Sequence, residues 1–147
     1  MSKRCLGKFR VFLRYEDGAP VECVVPDYCI TGLSESDTVR GLFRSRDVGA
    51  TITVTQTWAY GSEVMDYTAD IPKSVWGVNG TNWPGAVFGA AVRADYDQKK
   101  VPVFFIYGRH IQDAGDLSIP EDVQTKLLVF AKAALAVASM RNKTYLS

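Results

Sequence analysis

Thr51, Thr53, Thr55 and Thr57 alternate with Ile52, Val54 and, one step further on, Trp58. Successive side chains of a strand point to opposite faces. This spacing therefore predicts one apolar face and one row of hydroxyls able to bond phosphate, ribose or an exposed base edge. Arg44 and Arg46 lie close by and could neutralise phosphates. Groupings for catalysis are sparser. His110, in Gly108-Arg109-His110, is the single histidine, and no serine or cysteine sits in a nucleophile-elbow pattern. Gly77-Val78-Asn79-Gly80 lacks the lysine and the following helix of a phosphate loop. Asp95 and Asp97 would need further acidic partners to hold a hard cation. Cys5, Cys23 and Cys29 show no metal-ligand spacing and are odd in number, so reduced thiols are expected. These residues imply binding rather than turnover, with no metal, no cofactor and no enzymatic activity.

The elements that must position them come from a chain of 147 residues with 17 basic and 16 acidic side chains, 47% apolar. That is one ordinary domain, able to bury a core without a staple. Its near-neutral charge excludes a uniformly basic nucleic-acid binder, although Lys3, Arg4, Lys8, Arg10 and Arg14 form a local basic stretch. No apolar signal core is evident and no membrane span is expected, because the weakly polar run from Leu127 to Met140 is too short.

Lys8 to Tyr15 alternates, Glu16-Asp17-Gly18-Ala19-Pro20 has turn chemistry, and Val21 to Val25 returns, predicting an N-terminal hairpin over 1–26. Val39 to Arg46 reads as a short strand. Thr51 to Trp58 and Glu63 to Ile71 read as a strand pair, with Pro72 as its stop. Residues 74–85, carrying Trp76, Asn79, Asn82 and Trp83, read as a long loop, and Ala86 to Tyr107 as one or two strands. Ser118 to Glu121 has capping-box spacing. Val123, Leu127, Phe130, Ala134 and Val137 recur at helical steps, predicting a helix over 118–141. Strands followed by one helix, without βαβ alternation, imply an α+β antiparallel sheet over 39–107. One helix covers a wide sheet poorly, so a homodimer joined through Leu127, Phe130 and Ala134 is expected to complete it.

Taken end to end, the order of Val24-Val25-Pro26, the strand pair closing in Ile71-Pro72-Lys73, the loop Val75-Trp76-Gly77-Val78-Asn79-Gly80, Arg93-Ala94-Asp95-Tyr96 and Val101-Pro102-Val103-Phe104 resembles the coat proteins of single-stranded RNA bacteriophages, the leviviruses. The resemblance implies a structural capsid protein located in the virion and assembled in a bacterial cytoplasm. Its partners would be further copies of itself and single-stranded RNA. Thr53, Thr55, Thr57 and Thr68 would face the RNA, Tyr96 would stack on an unpaired base beside Gln98, and Arg44 and Arg46 would add charge. Trp76, Asn79, Asn82 and Trp83 would form the capsid-contact loop. The departures are a sheet poor in basic residues, Asp66, Asp70 and Asp97 opposing phosphate, and one long helix where two are usual. The alternatives are a phage-encoded inhibitor or binding module of discrete stoichiometry, and a small enzyme using His110.

Overall fold

The computed structural model describes residues 13–59, 64–66, 68, 70–116, 118–141 and 143–144. Helix α1 (Leu33–Ser45) precedes strand β1 (Thr51–Thr55), followed by β2 (Lys73–Gly77), helix α2 (Gly85–Gln98), β3 (Phe104–Tyr107) and helix α3 (Glu121–Met140). The three strands form one sheet in the order β1-β2-β3, and both pairings are parallel. Thr53 stands opposite Val75, which stands opposite Phe105.

Period-two alternation on the central strand decides how the layers stack. Val75 points to one side and packs with Met65, Phe88, Val92 and Tyr96, so α2 covers that face. Trp76 points to the other and packs with Leu13, Ile106, Val123 and Leu127, so α3 covers the opposite face. The result is a three-layer α/β arrangement in which β2 is buried along its whole length. The β2-α2-β3 segment is a βαβ crossover, as parallel neighbours require. Close approach of α2 to the sheet depends on glycine: a Cβ on Gly85 would lie 2.2 Å from the Thr55 carbonyl oxygen.

An antiparallel, levivirus-like sheet was the expectation, and the parallel sheet corrects it. The physical reason lies in β2. A parallel strand buried on both faces loses the in-out alternation that marks a strand in sequence, and Lys73-Ser74-Val75-Trp76-Gly77 reads as loop. Its burial makes it the true partner of β1. The expected partner, Glu63 to Ile71, falls partly outside the described residues, and its described members form no strand. Val39 to Arg46, expected as a strand, falls largely within α1, and much of Ala86 to Tyr107 is α2.

The N-terminal hairpin over 1–26 also lies partly outside the described residues. Within them, Arg14 and Pro20 form an isolated antiparallel bridge around Gly18, whose φ of +82° suits glycine. Val21 to Val25 is not a strand. At α3 the capping box is not used: Pro120 is the N-cap and no side chain bonds the helix start.

Leu127, Phe130 and Ala134 are buried within the chain itself. The Phe130 ring stacks on Phe104 with centroids 6.0 Å apart. The α3 face of a sheet only three strands wide is thus covered internally, which removes the argument for a dimer that shares helices to complete it.

Candidate functional site

Two polar constellations lie at opposite ends of the sheet. The first sits where β2 begins. Lys73 opens β2 with its side chain 2% exposed, and its Nζ lies 3.2 Å from Asp66 Oδ2 and 3.3 Å from the Ile71 carbonyl. Asp66 Oδ1 accepts from the Thr68 amide at 3.0 Å and the Thr68 hydroxyl at 2.6 Å. The Asp66 amide donates to the Tyr96 hydroxyl at 2.9 Å. Burial pushes the Asp66 carboxyl up, but the Thr68 donors and the Lys73 ammonium together hold it below the usual carboxylate range. Burial keeps the Tyr96 phenol above its ordinary value, so it stays protonated. Asp66 and Thr68 also line a cavity of about 260 Å³ between α1 and β1, with Ser36, Arg44, Thr53 and Asp70. The ion pair is internally satisfied, and its chemistry is that of a fastener for the segment running into β2.

The second constellation occupies the C-terminal ends of the strands, where parallel α/β sheets place their ligand sites. β1 runs out into Gln56-Thr57-Trp58, β2 into Val78 to Pro84, and β3 into Gly108-Arg109-His110. Hydrogen bonds join the last two loops into one rim. Asn79 Nδ2 donates to the carbonyls of Gly108 and His110 at 3.2 and 3.4 Å. The Gln112 amide donates to the Asn79 carbonyl at 2.7 Å, and the Thr81 amide to the Gln112 carbonyl at 3.0 Å. From the α3 side, Asp122 Oδ2 accepts the Arg109 amide at 3.0 Å. Thr55 donates its hydroxyl to the Gly85 carbonyl at 2.9 Å and fixes the start of α2 against β1.

At this end of the sheet two tryptophans stay open, Trp58 on the exit of β1 at 56% and Trp83 in the braced loop at 54% exposed. Trp58 is steadied by Phe88, with ring centroids 5.6 Å apart. Asn82, Arg109 and His110 are also exposed. The rim therefore combines flat apolar surfaces with amide and guanidinium donors, the composition of a polar-ligand surface. Among the described residues no group of three or more His, Cys, Asp or Glu is placed to hold a metal ion.

The residues singled out from sequence do not share one face. Thr53 lines the cavity, Thr55 is buried against α2, and Thr57 is exposed on the rim. Thr68 caps Asp66, and Tyr96 is buried on α2 with its hydroxyl turned to the same segment. Gln98 is exposed at the end of α2, and Arg44 lies in the last turn of α1. Arg46, just beyond α1, bonds Glu22. Trp76 is buried in the middle of the sheet, while Asn79 is the clamp and Asn82 and Trp83 are open. Sequence reasoning did not single out Trp58 as a site residue, taking it for the apolar face of a longer strand. The signal that could have found it is Gln56, a polar residue on the apolar register between Val54 and Trp58, which breaks the alternation before it reaches Trp58.

Comparison with known proteins gives a consistent result. The family model described as "L-fucose isomerase, first N-terminal domain" matches residues 1–142. The L-fucose isomerases of Salmonella arizonae and Escherichia coli are 55% identical to this chain over 135 residues, and that of Klebsiella pneumoniae 56%. Each match covers 92% of this chain and 23% of the relative, so the chain spans about a quarter of their length. This overturns the levivirus resemblance, together with the capsid function, the single-stranded RNA and capsid partners, the virion localisation and the non-enzymatic reading that followed from it. It gives no support to an inhibitor module either. Short strings such as Ile71-Pro72-Lys73 matched the coat pattern without its topology: the sheet they belong to is parallel.

Proposed function

Because the chain belongs to the L-fucose isomerase family as its first N-terminal domain, we propose that it serves an aldose-ketose isomerase acting on a 6-deoxy sugar such as L-fucose. Its own share is recognition. An aldose-ketose isomerase moves hydrogen between C1 and C2 of the open-chain sugar, and that step needs acid-base groups held on both carbons. The described residues of this chain present no such converging set, so proton transfer is assigned to the remainder of the polypeptide.

What the chain offers is a rigid surface. A 6-deoxy sugar has an apolar methyl and a C–H face that an indole ring can cover, and hydroxyls that amides and guanidinium groups can bond. The observation that carries the reading is the exposure of Trp58 and Trp83 at one end of the sheet, Trp83 in the loop braced by Asn79 and Trp58 on the exit of β1. Large aromatics left open near the ends of parallel strands, where such sheets place their ligands, are what a sugar ring would stack on.

The test uses a full-length chimera in which this chain replaces the matched segment of the Escherichia coli L-fucose isomerase. Trp58→Ala and Trp83→Ala should each raise KM for L-fucose roughly tenfold, equivalent to about 1.4 kcal/mol of binding, with kcat changed far less, the signature of lost uniform binding. An unchanged KM in both variants would contradict the reading.

A further inference from the structure

Among the described residues, the outer face of α3 is an apolar feature that neither the core nor the rim absorbs. Its most apolar 18-residue window has a mean hydropathy of 1.4, yet only 22% of that window is buried. The inward side, with Val123, Leu127, Phe130 and Ala134, is already filled by the sheet. On the outward side Val129, Ala133, Ala136, Val137 and Met140 follow one another at steps of four, three, one and three, a strip roughly 16 Å long at 1.5 Å per residue. Val129 is 58%, Val137 40% and Met140 49% exposed. Lys132 is the only charged residue from Leu127 to Met140. A helix facing water on its outer side normally carries polar residues there. This one does not.

Resting on the family reading, we propose that this strip is the seat for the remainder of the isomerase polypeptide, which packs an apolar surface of its own against Val129, Val137 and Met140. Two observations select that occupant. The relatives are more than four times as long as the matched segment, which covers 23% of them, and the matching family is described as the first N-terminal domain. A large neighbouring body in the same polypeptide is therefore the rule for this family. A lipid bilayer fits less well: α3 is long and apolar enough to cross one by length and composition, but spanning would strip Val123 and Leu127 from the Trp76 and Ile106 cluster. The alanines at 133 and 136 leave room for a partner's side chains to reach the helix backbone.

Methionine oxidation reads the proposal directly. Met140 sits on the strip, whereas Met65 is 3% exposed and serves as an internal control. Under hydroxyl-radical footprinting, Met140 should be modified readily in the isolated chain and about tenfold more slowly in the chimera with the Escherichia coli enzyme, because the centre of an interface excludes water as an interior does. Met65 should be slow in both. The double variant Val129→Glu/Val137→Glu should leave the melting of the isolated chain unchanged and lower that of the chimera by several degrees. Equal Met140 reactivity in chain and chimera would overturn the proposal, as would a double variant without effect on the chimera. It would also be overturned by a concentration-dependent dimer that protects Met140 in the isolated chain, or by flotation of the chain with phosphatidylcholine vesicles. Should the chimera not assemble, binding of anilinonaphthalene sulfonate to the isolated chain, lost in the double variant, supports the seat, and equal dye binding overturns it. A chimera that protects Met140 but turns over no L-fucose would sink the functional reading and leave this one standing.

Discussion

The two ends of the sheet handle polar groups in opposite ways. Where β2 begins, Lys73, Asp66, Thr68 and Tyr96 direct their polar atoms at one another, and the Lys73 side chain is almost wholly enclosed. Where β2 ends, hydrogen bonds run through backbone carbonyls and Asn79, and the large side chains Trp58 and Trp83 are left to solvent. The first arrangement consumes its chemistry in holding the fold. The second holds its loops by the backbone and keeps side chains available. Enclosure, rather than residue type, therefore separates a fastener from an open surface in this domain.

Substitutions that attack one end should move stability, and those that attack the other should move affinity. The largest effect is expected for Lys73→Met, which leaves the Asp66 carboxylate without its cation. Removing one partner of a buried pair costs about 3–5 kcal/mol, and the 28% exposure of the Asp66 side chain places this case near the lower end. Chemical denaturation measures it, and a loss under 1 kcal/mol would mean the pair is not enclosed.

The same pair gives the protein an acid limb. The folded Asp66 carboxyl titrates below its ordinary value of 3.8, so its stabilisation is complete above the unfolded value and disappears as pH falls through the folded one. Melting temperature should drop on acidification below about pH 4, and Asp66→Asn should flatten part of that drop.

Tyr96→Phe comes next. It strips the acceptor from the part-buried Asp66 amide and should cost about 1 kcal/mol, the low end of the penalty for an unsatisfied donor. Thr55→Val removes the bond to the Gly85 carbonyl and should cost about 1 kcal/mol. Smallest of all in stability, Trp83→Ala should stay within about 0.5 kcal/mol of the parent, as an exposed site does, while changing KM in the chimera. A large stability loss at Trp83 would erase the contrast between the two ends.

Some of this was readable in the residues. α3 declares itself through Val123, Leu127, Phe130 and Ala134, because a helix packed on one sheet face keeps its periodicity. β1 shows through its threonines. The rest was obscured by local chemistry that tertiary contacts override. β2 is buried on both faces and so has no alternation to read, and it contains a buried lysine that looks like a surface residue. α2 opens with Gly85, Val87, Phe88 and Gly89, which favour other states and mask its alanines, and its Phe88, Val92 and Tyr96 reveal a four-residue step only once the segment is taken as helix. Mistaking β2 for loop and α2 for strand hides the βαβ unit, and with it the parallel sheet. The rim was partly visible: Asn79, Asn82 and Trp83 drew notice as a loop that makes contacts, but without the topology nothing placed Trp58 or His110 at the same end. Tyr96, read as a base-stacking aromatic, is buried, and its hydroxyl accepts the Asp66 amide.

In the proposed function the open aromatics at the C-terminal end of the sheet face the sugar. A crystal structure of the chimera bound to L-fucose tests it most directly. Ring carbons of the sugar should lie within about 4.5 Å of the Trp58 or Trp83 indole, the range of apolar contact. A bound sugar lying far from both indoles, with the rim buried against protein alone, would contradict it.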